Sequence, residues 1–300
     1  MKYNKLFIAL PLIFIGLAFT QKAGKNAIIQ TGAELEKLAD GFLFTEGPSP
    51  DKNGNVFFTD QPNDRILVWG VSGELSTFMQ PCGRSNGLAF DNKGFLWACA
   101  DEKNELWCIA PDKSVNIILS KYQGKLINGP NDLWLAKNGG IYFTDPYYQR
   151  TWWKRTSMEQ DCQGVYYLAP DHKTLTRVID DLLTPNGITG SPDGKVLYVA
   201  DLKGKKTWSY TINKDGSLSN KTLFCEMGSD GMTTDTRGNL YLTGDGVTIF
   251  DRNGKKIGNI PVPEKWTANV CFGGSDMKSL FITASKGLYR LRMKVKGTAW

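Results

Sequence analysis

Six polar turns, each followed by a β-rich run of about six residues, recur along this chain and limit its fold more than any other feature. Asp51-Lys-Asn-Gly54 precedes NVFFTD, Asp91-Asn-Lys-Gly94 precedes FLWACAD, and Ala136-Lys-Asn-Gly139 precedes GIYFTD. Ser191-Pro-Asp-Gly194 precedes KVLYVAD, and Asp235-Thr-Arg-Gly238 precedes NLYLTG. Gly274-Ser-Asp-Met277, before KSLFITA, is a sixth copy that has lost its closing glycine. A polar turn ending in Gly and leading into β-formers is a hairpin signal. The turn starts lie about 40, 45, 55, 44 and 39 residues apart, inside or near the period of four-stranded blades. The expected fold is therefore all-β, a six-bladed β-propeller with four-stranded blades.

The same phase carries a second pattern. Eight residues before the last residue of each turn stand Glu46, Asn86, Asn131, Asn186, Asp230 and Asn269. Glu46, Asn86, Asn186 and Asp230 are each followed by Gly. The innermost strand of a propeller blade lines the central channel, so these six positions converge on the axis. They form a ring of carboxylate and amide oxygens without thiol or imidazole. Such donors suit calcium most readily, then magnesium or manganese. Turn-shaping by Asn and Asp explains one such position, but turns alone would admit Gly and Ser across six.

The 300 residues are 41% hydrophobic and 22% charged, with a net charge of +6. That composition belongs to a globular protein. No Lys/Arg run reaches five, so neither a nucleic-acid partner nor a membrane patch is indicated. Residues 1–20 read as a signal peptide: Lys2 and Lys5 precede the apolar run Leu6–Phe19, with Ala18 and Thr20 near a cleavage point. An exported protein, periplasmic or secreted, with no stable membrane insertion after cleavage, is expected. Residues 21–40 form a lead-in whose segment Glu34 to Leu38 could supply the closing strand of the last blade, and 41–300 form the propeller. The six cysteines include no CxxC pair, so a zinc site is not indicated. Cys99 and Cys108 flank a hairpin and could be bridged in an oxidising compartment, or all six are buried small hydrophobes.

Blade three carries an insertion, YYQRTWWKRTSMEQDCQ, after FTDP and before GVYYL. It connects the second and third strands, on the face where the innermost strands begin. Tyr147, Tyr148, Trp152 and Trp153 are therefore expected to overhang the channel mouth and contact substrate. The one histidine, His172, sits in an outer turn, which removes Ser-His-Asp and Cys-His catalysis. The DKNGN and DTRGN turns lack the sixth-position Gly and distal Glu of an EF-hand. Carboxylates and an oxygen-ligated metal are the catalytic machinery that remains.

TEGP with Glu46, GPNDL with Asn131 followed by FTDP, TPNGI with Asn186 and SDGM with Asp230 together resemble the SMP-30/gluconolactonase/LRE family from about Phe42 to the C-terminus. The resemblance implies a six-bladed propeller with an axial divalent metal, often calcium, held by Glu46, Asn131, Asn186 and Asp230. It implies a substrate-contacting role for Asn86. Animal members carry an Arg two residues before the Asn131 equivalent, where this chain has Gly129. The activity implied is opening of a sugar lactone, the metal polarising the carbonyl and Asp230 acting on water as general base or attacking directly. Two other readings remain open. One is a phosphotriester-type hydrolase on the same metal (which could also be zinc). The other is a propeller that only binds a ligand or a protein.

Overall fold

The computed structural model describes residues 28–298. The signal segment, residues 1–20, lies outside them. Six four-stranded antiparallel sheets follow one another through residues 45–79, 85–119, 133–179, 185–225, 232–260 and 267–292. They are blades one to six of a β-propeller. The outermost strand of blade six is Glu36–Ala39, which pairs with Gly287–Arg292 and so ties the start of the propeller to its end.

The repeated turns fold as their residues dictate. In the first, Gly54 takes φ +88° and its N–H donates to the Asp51 carbonyl at 3.0 Å. The Asp51 side chain accepts from the amides of Asn53 and Asn55 at 2.9 Å each, closing the turn from within. Asp91 and Asp235 do the same in their own blades. In the sixth copy Met277 itself adopts the left-handed conformation, φ +56°.

Apolar faces of neighbouring blades bury one another. Phe57 and Ile66 of blade one pack with Leu88, Phe90 and Leu96 of blade two. Trp97 and Leu106 of blade two pack with Ile141 and Phe143 of blade three. The Cys99–Cys108 bridge is not formed. Cys99 stands opposite Leu106 and Cys108 opposite Trp97, two residues out of register, and all six cysteines are free.

Candidate active site

All six phased residues are buried and lie on an innermost strand or within two residues of its start. Their following glycines show how closely the strands converge. A Cβ on Gly47 would lie 2.0 Å from the carbonyl oxygen of Asn86, and one on Gly87 2.6 Å from that of Asn131. One on Gly187 would lie 2.9 Å from the carbonyl oxygen of Asp230, and one on Gly231 2.0 Å from the Asn269 side chain. Each glycine thus packs against the axial residue of the next blade, where no side chain fits. The exceptions are Asp132 and Val270, which follow Asn131 and Asn269.

Asp132 adds a carboxylate that the phase pattern does not include. With Glu46 and Asp230 it makes three buried acids that repel one another. Burial raises the Glu46 carboxyl well above its usual range, and the Asp230 and Asp132 charges push it further. Burial lifts Asp132 to about 7, opposed by the Leu133 amide, which donates to its Oδ1, and by the nearby Asn269 side chain. Asp230 is raised by burial to about 6, opposed by donors from Trp266 and Asn186. Trp266 Nε1 lies 2.5 Å from Asp230 Oδ2. The Asn269 side chain acts on both Glu46 and Asp132, favouring their ionised forms.

Two amide oxygens of the ring, Asn86 Oδ1 and Asn186 Oδ1, are buried without a hydrogen-bond donor. Buried acceptors are rarely left unmade. Beside three buried carboxyl groups whose ionised form burial disfavours, they make a donor set that a hard dication would fit and compensate. Among the described residues, no three Asp, Glu, His or Cys side chains are grouped to hold a metal by themselves, so amide oxygens have to complete any ligand set.

The insertion reaches this ring through one of its four aromatics. Asn186 Nδ2 donates to the Tyr148 hydroxyl at 2.9 Å, and burial keeps that phenol neutral, with the Asp230 charge acting in the same direction. Trp152 lies between two guanidinium groups, with Arg84 4.5 Å and Arg150 5.6 Å from its ring centre. Trp153 and Tyr147 also help seat the insertion: Trp153 Nε1 donates to the Asp101 carbonyl at 2.8 Å, and the two rings pack tilted at 40° with centres 5.9 Å apart.

Aspartates at the ends of second strands hold the loops that lead to the axis. Asp60 accepts from the amides of Leu43 and Phe44, Asp145 from Asn128 and Gly129, and Asp201 from Leu183 and Thr184. In each blade these are the amides three and two residues before the axial side chain. In blade two that register position is Ala100, and Asp64 binds the Arg84 amide instead. Asp101, one place further on, is buried and accepts from Gln61 Nε2 at 3.1 Å and Arg150 Nε at 2.6 Å. Burial raises its carboxyl to about 6 despite Arg150.

The sequence reading missed Asp132, Trp266, Asp101 and Arg150. Trp266 was traceable by phase: it stands three residues before Asn269, as Leu43 and Leu183 stand before Glu46 and Asn186. All three are exposed. His172 is exposed, with its ring edge-on to Trp97 at 4.8 Å. A polar surface cavity of about 420 Å³ lies on the outer edge of blade six, away from the ring. Its Arg290 is paired with Glu36 and its Arg292 with Asp276.

The sequence pattern of the SMP-30/Gluconolactonase/LRE-like region matches residues 44–286. A gluconolactonase of Zymomonas mobilis is 31% identical, over 91% of this chain and 85% of that protein. Lactonase drp35 of Staphylococcus epidermidis is 32% identical, over 82% and 81%. A gluconolactonase of Xanthomonas campestris superposes with a TM-score of 0.83 at 29% identity, covering 90% of this chain and 92% of that one.

Proposed function

Because this chain belongs to the SMP-30/gluconolactonase/LRE-like family, we propose that it is a lactone hydrolase whose axial ring opens the cyclic ester of a sugar acid. The observation that carries this reading is the convergence of the buried acids Glu46, Asp132 and Asp230 with the donor-free amide oxygens of Asn86 and Asn186.

Glu46, Asn131, Asn186 and Asp230 would hold a divalent cation, with calcium as first expectation and manganese, magnesium or zinc as alternatives. When bound, it would supply Lewis-acid polarisation of the lactone carbonyl. Asp230 takes a proton from the attacking water. Its raised carboxyl suits that task, because a base works best when its pKa lies near the working pH. Trp266 and Asn186 fix the direction in which its oxygens face. The water oxygen bonds to the carbonyl carbon, the ring C–O bond breaks, and the proton on Asp230 passes to the departing alkoxide. Tyr148 accepts from Asn186 and keeps its own proton, so it can donate to a substrate oxygen. Asn86 offers its free acceptor to a sugar hydroxyl.

The test is hydrolysis of a panel of sugar lactones by metal-stripped protein, with and without added calcium, manganese, magnesium and zinc, corrected for spontaneous opening. Metal-restored turnover that Asp230→Asn lacks supports the assignment. Tight metal binding without turnover on any lactone would sink it.

A further inference from the structure

We propose that Arg150, held by the buried carboxylate of Asp101, is the residue that grips the hydroxyl groups of the substrate and so sets preference for a polyhydroxylated lactone. The proposal rests on the lactonase reading of the axial site.

The first observation is at position 129. Gly129 has φ +154°, and a Cβ there would lie 2.8 Å from Asp101 Oδ1 and 2.9 Å from the Trp153 ring. A side chain at this point would collide with Asp101 and Trp153 unless both shifted. The same Asp101 carboxylate, through Oδ2, binds Arg150 Nε at 2.6 Å. A guanidinium therefore reaches this spot from the insertion, on the far side of the carboxylate that seals residue 129.

The second observation is what Arg150 leaves free. Among the described residues its Nε carries the group's hydrogen bond, and no partner engages Nη1 or Nη2. The guanidinium carbon lies 5.5 Å from the Tyr148 ring centre and 5.6 Å from that of Trp152. Tyr148 in turn is hydrogen-bonded to Asn186. The guanidinium thus stands beside the Tyr148 ring, whose hydroxyl meets Asn186, and its positive charge lowers the Asp230 carboxyl that burial raises. A planar fork of donors, fixed at one end, is suited to vicinal hydroxyls and ring oxygens.

The third observation is the use of Asp101. Asp60, Asp145 and Asp201 each hold a pair of backbone amides, whereas Asp101 holds none among the described residues. Its oxygens serve side chains from blade one and from the insertion, Gln61 and Arg150. It is a positioning residue for Arg150.

The experiment compares kcat/KM for D-glucono-1,5-lactone with that for δ-valerolactone, whose ring has no hydroxyls. The expected result is that Arg150→Ala lowers the ratio of the two about 10- to 100-fold, through KM for the hydroxylated ring, the range for a lost hydrogen bond to a charged group. Arg150→Lys should recover part of the ratio, and Asp101→Asn should lower it in the same direction by less. An equal proportional loss on both lactones, or an unchanged ratio, would overturn the proposal. Should the wild type open neither ring, the lactonase reading fails. Arg150 is then judged by calorimetric binding of gluconate, expected at least tenfold weaker in Arg150→Ala. Equal affinity, or no binding to the wild type, would overturn it.

Discussion

The axial ring and the blade-three insertion share one mouth, yet they are built by opposite rules. Every ring position is a copy in phase, and four of the six carry a glycine after them where the backbone meets the next blade. Nothing in the insertion is repeated. It is seated by single contacts, with Arg150 on Asp101, Trp153 on the Asp101 carbonyl and Arg155 on the Asn128 carbonyl. Arg155 stacks over Trp153 at 4.2 Å. Changes in the ring should therefore act on chemistry and on global stability. Changes in the insertion should act on substrate choice and leave the propeller standing.

The largest effect should come from the ring's chemistry. Asp230→Asn keeps an oxygen donor and loses the base, and turnover should fall about a thousandfold. A folded variant with full kcat would remove Asp230 from the mechanism.

Next is the ring's packing. Gly47→Ala would place a methyl 2.0 Å from a backbone oxygen at a residue with φ +46°. Strain and overpacking together should cost about 4 kcal/mol, read as a lowered urea midpoint. A midpoint within error of the wild type would mean that the blades spread apart more easily than the ring geometry implies.

Third is the ring's charge. Asp230 and Asp132 titrate at about 6 and about 7 in the fold, raised by burial, against about 3.9 in an unfolded chain. From about pH 4 to about pH 7 the folded protein then binds more protons than the unfolded chain, so stability falls as pH rises through that window. Metal-stripped protein should lose about 4 kcal/mol between pH 5 and 7.5. Saturating calcium should flatten the slope. A midpoint in chelator that does not move with pH would contradict the buried repulsion.

The smallest global effect belongs to the insertion. Trp152→Ala removes a half-buried ring held between Arg84 and Arg150 and should shift stability by less than about 1 kcal/mol. KM for a sugar lactone should still rise several-fold. A cooperative loss of several kcal/mol would show that the insertion belongs to the propeller core after all.

The repeats determined the blade count, the four-stranded blades and the ring, because each copy carries its own instructions: a polar turn, an alternating strand, an acid or amide at fixed distance. Local signals repeated six times are hard to misread. Even the glycines after the axial residues were visible, although their reason, a backbone approach from the next blade, was not. Asp132, Trp266, Asp101 and Arg150 escaped that reading for one physical reason. Their roles arise from contacts between blades, across separations such as the 49 residues from Asp101 to Arg150, and no periodicity encodes which unique side chain meets which. The insertion's aromatics were expected at the channel, but only the tertiary structure decided that Tyr148 would be the one to meet Asn186 and that Trp153 would pack against Gly129. It also decided that an arginine would reach the mouth from a loop, because steric exclusion at residue 129 and the unshared carboxylate of Asp101 exist only once three blades are side by side.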